Sequence, residues 1–253
     1  MDDSLKECLA AFNRKERYWL FRAATFGFSK TSNLHKDFRT ELNNHLSIKI
    51  PKDAWWAIDY HIDWLFAALV LYLRKGNVSS APFYNPKTHE DKKAIRGSNE
   101  DFDLIIAFKK TIILVEAKGL MSWSNEQLQR KCSRLKEWEK FSESVFLEDN
   151  SKLHLPSIYI VLTSPRESSR VKKCSWPQYV QPTKSDKRFL TLHLPGAPKE
   201  FLAPERCMIS PDIKPSKKGT HWRFKRIYVP KTEIPTHNSE LTSNETSEAH
   251  NEP

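Results

Sequence analysis

The sequence predicts an α/β chain built on a central mixed β-sheet flanked by helices. Three observations predict it. Two Ile-rich runs, at about 102–108 and 111–117, are separated only by Lys109 and Lys110, the pattern of a β-hairpin. A stretch from about 124 to 147 places Leu128, Cys132, Leu135 and Trp138 at helical spacing. A further apolar run, Ser157–Thr163, reads as a strand ending at Pro165. A helix between strands is the mark of a layered α/β plan.

The elements follow in order. Residues 3–24 read as helical, with Leu5, Cys8, Leu9 and Phe12 on one side. Residues 32–47 repeat the signal, because Leu34, Phe38, Leu42 and Leu46 recur every four residues. Pro51 punctuates, Asp53 is placed to cap a long helix over about 54–74, and Gly76 closes it. Residues 77–98 are polar and read as a loop with a short strand near Pro82–Tyr84. After the hairpin, the 124–147 helix and the 157–163 strand, residues 166–186 are basic and irregular, and Arg188–Leu194 and Trp222–Val229 read as strands. The expected division is one domain over 1–230, with a core at 53–165, an N-terminal helical extension at 1–50 and a C-terminal strand extension at 186–230. Residues 231–253 are poor in apolar residues and read as a disordered acidic tail.

Composition narrows the function classes. The 253 residues are 39% hydrophobic, with 8 Trp and 14 Phe, enough for a sizeable core. The net charge is +10, and the last 23 residues carry one Lys and five Glu, so the body is more basic than the whole. A basic body suits a polyanionic partner, most simply nucleic acid. Cys8, Cys132, Cys174 and Cys207 lie too far apart for a C-x-x-C zinc knuckle and fit a reduced, cytoplasmic setting. The Met1-Asp2-Asp3 start lacks a signal peptide's basic opening, and the apolar run Trp64–Leu73 is too short to span a bilayer. No membrane partner is expected.

The chemistry-bearing residues sit in the hairpin. Asp103, Glu116 and Lys118 stand in the order D-x12-E-x-K, on strands that are otherwise apolar. Charged residues enter buried strands when they are paired or ligate a metal. Glu116 and Lys118 are two apart and share a strand face, and hairpin pairing brings the Asp103 end beside the Glu116 end. Two carboxylates and a lysine there suit metal-assisted hydrolysis of a phosphodiester. An ordinary same-face ion pair between Glu116 and Lys118 is the plainer reading.

With the Gly after Lys118 and the helix that follows, this pattern resembles the PD-(D/E)XK nuclease superfamily, also called restriction-endonuclease-like, over roughly residues 59–165. Phe102 stands where the family has a proline, and Asp101 is a rival for the metal-binding Asp. The resemblance implies a restriction-endonuclease-like core. It also implies that Asp103 and Glu116, with the carbonyl of Ala117, bind Mg²⁺ (Mn²⁺ as substitute), and that Lys118 serves the attacking water. Many members carry an acidic residue on the preceding helix. Asp59 and Asp63 lie one helical turn apart in Trp55–Phe66, and Asp63 is favoured because it lies deeper in the apolar segment; both on a solvated stripe is the alternative. His61 reads as structural. Some members place a Gln on the following helix. Gln127 is the candidate, with Lys131 and Arg134 at helical spacing after it and Gln129 as a weaker alternative. Ser124-x-x-Gln127 is also a capping box, which explains Gln127 without chemistry.

Lys92-Lys93, Lys109-Lys110, Arg170 with Lys172-Lys173, and Lys217-Lys218 are candidate phosphate contacts, or ordinary solvated turns. Trp123 and Trp176 are candidate base-stacking residues, or core. The leading expectation is a Mg²⁺-dependent nuclease acting on DNA, in which cutting both strands of a duplex suits a homodimer. The rivals are a nucleic-acid-binding protein of the same fold with weak or no cleavage, and a module docking its basic surface on an acidic protein.

Overall fold

The computed structural model describes residues 4–27, 32–78, 85, 93–97, 100–118, 125–149, 155–164, 176–183, 189–191, 200–209 and 212–228. The chain divides into two compact units, residues 1–192 and 193–253. The division falls inside the C-terminal extension of the single domain read from sequence. Its physical basis is strand pairing, because one strand of that extension joins the first sheet while the others pair among themselves.

The first unit is α/β, with a mixed five-stranded sheet in the order β1-β2-β3-β4-β5. Its strands are β1 (Trp55–His61), β2 (Asp101–Phe108), β3 (Thr111–Ala117), β4 (Ser157–Ser164) and β5 (Phe189–Thr191). Strands β1, β2 and β3 run antiparallel, whereas β4 is parallel to β3 and β5 parallel to β4. A parallel pair needs a long crossover, and α5 (Asn125–Asp149) lies in it. Lys109 turns the β2–β3 hairpin with φ 48°, the left-handed conformation that tight two-residue hairpins favour. Residues 112–116 of β3 are all buried, so this central strand is covered on both faces, and its Ile-rich run shows no alternation for that reason.

Residues 54–74 are not the single helix read from sequence. Trp55–His61 forms β1, and only Ile62–Leu73 is helical (α4). Trp55, Trp56, Ile58 and Tyr60 are aromatic or β-branched, side chains that fit a pleated surface, and β2 offers their backbone a ladder. Asp59 adopts φ 49°, a left-handed conformation that Asp tolerates better than most residues. Asp59 and Asp63 therefore do not share a helix face. Helix α4 ends in a Schellman motif: the Gly76 N–H donates to the Leu71 carbonyl and the Lys75 N–H to that of Tyr72, both at 2.9 Å.

The N-terminal helical reading holds with breaks. Residues 3–24 split into α1 (Ser4–Phe12) and α2 (Glu16–Phe26), and α3 covers Lys36–Leu46. Helix α1 packs on α4, inserting Leu5, Cys8 and Leu9, all buried. The core joins these to Leu65, Phe66 and Leu69 of α4, Ile105 and Ile106 of β2, and Leu128, Leu135 and Trp138 of α5. Full burial of each large apolar side chain contributes about 1.5–3 kcal/mol. The stripe predicted for α5 is thus its core face.

The second unit is a three-stranded antiparallel sheet in the order β7-β6-β8, formed by β6 (Glu200–Met208), β7 (Lys214–Pro215) and β8 (His221–Tyr228). Gly219 is required there, because a Cβ at that position would lie 2.3 Å from the Cys207 carbonyl oxygen. Among the described residues, no helix is long and apolar enough to cross a membrane. The Pro82–Tyr84 strand and the 231–253 tail lie outside the described residues.

Candidate active site

The β2–β3 register pairs Leu104 with Val115, and one step further sets Asp103 opposite Glu116. The Ala117 N–H donates to Asp103 Oδ2 at 2.6 Å, which ties the two strand ends together and fixes the aspartate. Glu116 is 1% exposed and is met by three side chains. Lys131 donates to its Oε2, Gln127 Nε2 donates to its Oε1 at 3.0 Å, and Lys118 Nζ lies 3.6 Å from the same Oε1. Asp103, Glu116, Lys118 and Gln127 are therefore one cluster. Gln129 is exposed on α5 and takes no part in it.

The charge state of Glu116 is a contest. Burial raises its carboxyl above the ordinary range, Lys131 pulls it down, Asp103 pushes it up again, and Lys118 lowers it. Desolvation wins, so the carboxyl stays raised despite two lysines. Lys131 is itself buried; it also donates to the Asp101 carbonyl and lies 5.0 Å from the centre of the Phe102 ring. Its role was not evident from sequence beyond its place in a polar stripe. The signal was there in its spacing. Lys131 follows Leu128 by three residues and precedes Leu135 by four, so it borders the apolar stripe rather than opposing it.

Asp63 stands elsewhere. Its Oδ1 pairs with Arg134, and its Oδ2 accepts from the backbone N–H groups of Arg96 (3.0 Å) and Gly97 (2.6 Å). Arg134, 1% exposed, also donates to the Ala94 carbonyl at 2.7 Å and to Glu137 at 2.8 Å. Arg96 completes the set at 2.5 Å from Glu137. This buried network anchors residues 94–97 between α4 and α5. Asp59 falls opposite Asp103 by the flanking pairs Ile58↔Leu104 and Tyr60↔Phe102, and it pairs with Arg17 at 2.9 Å. Asp101 pairs with Lys15 at 3.4 Å, and the His61 ring stacks on Trp64 with centroids 4.3 Å apart.

Asp103 and Glu116 are the two carboxylates this cluster offers to a cation, and Mg²⁺ typically takes one or two carboxylates and keeps several waters. The mutual repulsion of Asp103 and Glu116 is what a divalent cation relieves. Asp63 does not make a third member: among the described residues, no group of three or more His, Cys, Asp or Glu is placed to hold a metal.

Of the other candidates, Lys109-Lys110 and Lys217-Lys218 are exposed turns, and Trp176 packs against the core. Lys92, Trp123, Ser124, Arg170 and Lys172-Lys173 lie outside the described residues. Compared with protein-family models, with curated proteins and with solved structures, the chain finds no significant match.

Proposed function

We propose that this chain is a Mg²⁺-dependent nuclease that hydrolyses phosphodiester bonds in DNA. The observation that carries the reading is the pairing of Asp103 with Glu116 across two adjacent strands, with Lys118 and Gln127 on the same cluster. The mixed sheet flanked by helices supports a restriction-endonuclease-like core around it.

Hydrolysis joins a water oxygen to phosphorus as the bond to the leaving oxygen breaks. Asp103, Glu116 and the Ala117 carbonyl are the groups that would hold Mg²⁺, which when bound neutralises phosphate charge and acidifies water. Lys118 supplies a positive charge beside Glu116, suited to orienting the water and offsetting the charge that develops on phosphorus. Gln127 holds one Glu116 oxygen in a fixed direction. The Ala117 N–H does the same for Asp103, so both carboxylates are preorganised by the backbone or by α5.

One observation favours a second reading, a DNA-binding protein of this fold that cleaves weakly or not at all. Lys131 already compensates Glu116 from within. The test is cleavage of supercoiled plasmid and labelled single-stranded DNA in Mg²⁺, Mn²⁺ or EDTA, by the wild type, Glu116→Ala and Lys118→Ala. The nuclease reading requires metal-dependent cutting that both substitutions abolish. DNA binding without cutting by any form establishes the second reading, and cutting that survives both substitutions discards this site.

A further inference from the structure

We propose that one face of the second unit's sheet, carrying Trp222, Phe224, Arg226 and Tyr228, is a stacking platform for single-stranded DNA. Strand alternation puts these four residues of β8 on one side. The register adds Glu200, Leu202, Pro204 and Arg206 of β6 to the same side, opposite Tyr228, Arg226, Phe224 and Trp222. The opposite side is differently built. There Glu205 is held by Arg223 at 2.8 Å and Lys225 at 3.0 Å, and Cys207 is buried.

The platform face is open. Trp222, Phe224 and Tyr228 are 60%, 70% and 69% exposed, and the Trp222 and Phe224 rings meet edge to face with centroids 5.1 Å apart. Three large aromatic rings held in water on one small sheet mark a surface that something covers. Charge identifies the occupant. Residues 200–228 hold seven Lys and Arg against three Asp and Glu, which suits a polyanion. Arg206 and Arg226 lie among the rings on this face. Flat apolar rings beside guanidinium groups suit unpaired bases on a phosphate chain. Arg226 pairs at 2.5 Å with Glu200, the one carboxylate of the face, and a phosphate would compete for it. Base stacking and phosphate pairing need no 2′-hydroxyl, so the face asks for nothing that DNA lacks.

This inference goes beyond the nuclease reading and stands without it. The experiment is fluorescence anisotropy of the full chain in EDTA, where cutting plays no part, with labelled oligo(dT), oligo(U) and a duplex of equal length. The wild type is compared with Trp222→Ala/Phe224→Ala/Tyr228→Ala. The result expected is tight oligo(dT) binding that the triple variant weakens by about tenfold or more, with duplex binding little changed. Circular dichroism checks that the triple variant stays folded, and Arg206→Ala/Arg226→Ala, which keeps every ring, is expected to lower the salt dependence of oligo(dT) binding. Equal oligo(dT) affinity in wild type and triple variant overturns the proposal, as does tighter binding of oligo(U). A wild-type dimer that the triple variant converts to monomer in sedimentation also overturns it, because the face is then an interface between copies. A chain that fails to cleave in Mg²⁺ but binds oligo(dT) through these rings loses the nuclease reading and keeps the platform.

Discussion

Lys131 and Glu116 meet as a buried ion pair between α5 and β3, their side chains 5% and 1% exposed. Such a pair is worth little over an apolar replacement, because each charge loses its water, but breaking it leaves one charge alone. Lys131→Met is therefore expected to destabilise the first unit by about 3–5 kcal/mol, whereas Glu116→Leu/Lys131→Met recovers most of that loss. Urea denaturation of the two variants checks it, and a double variant no more stable than Lys131→Met refutes it.

Asp63 and Arg134 form the second buried pair, reinforced by the backbone N–H groups of Arg96 and Gly97. Asp63→Ala and Arg134→Ala are each expected to cost several kcal/mol. The double variant should cost less than their sum by roughly 0.5–3 kcal/mol, because both act through one network. Strict additivity in a double-mutant cycle would remove the anchoring role.

Gln127 touches Glu116, while Gln129 faces solvent. If the cluster binds Mg²⁺, Gln127→Ala is expected to lower metal affinity or cleavage by about 10–100-fold, the usual effect of losing a group that orients a ligand. Gln129→Ala is the matched control. Calorimetric Mg²⁺ titration and plasmid cleavage on both variants separate them, and equal behaviour would return Gln127 to a capping role.

His45 at the end of α3 is lowered below the ordinary histidine range by burial, and its Nε2 is buried without a hydrogen-bond partner among the described residues. The folded chain thus holds it neutral while the unfolded chain titrates near about 6.5. The stability from the neutral ring is fully present above that value and is lost as pH falls through the lower folded value. Wild type is expected to lose more Tm than His45→Leu between neutral pH and pH ~5. Parallel pH dependences in thermal unfolding would exclude this contribution.

Several of these features were legible in the sequence. The β2–β3 hairpin was plain because two near-continuous apolar runs flank only Lys109 and Lys110. The α5 stripe was plain because Leu128, Cys132, Leu135 and Trp138 keep helical spacing. Strand β1 was not, since Trp55–Leu73 is so uniformly apolar that no period separates strand from helix. Strand β6 was hidden by Pro204, which breaks the strand pattern. The proline is tolerated because, among the described residues, β7 pairs with Cys207 and Met208 and no strand pairs with Pro204 on that side. In the site, Asp103, Glu116 and Lys118 follow from register and spacing, whereas Gln127 comes from the family resemblance alone. The partners of Lys131 and Arg134 depend on how α5 is rotated about its own axis, and only packing decides that.

That rotation is itself locked by charge. Gln127, Lys131 and Arg134 climb one ridge of α5, the first two reaching Glu116 and the third Asp63. An axial slip of one turn would carry Lys131 or Arg134 to the other's carboxylate and leave the remaining carboxylate without its α5 cation, at a cost of several kcal/mol. Leucines and tryptophans tolerate such sliding far better, because apolar contact is non-directional. The apolar stripe makes α5 stick to the sheet, and the two ion pairs act as a vernier that sets where along the sheet it stops.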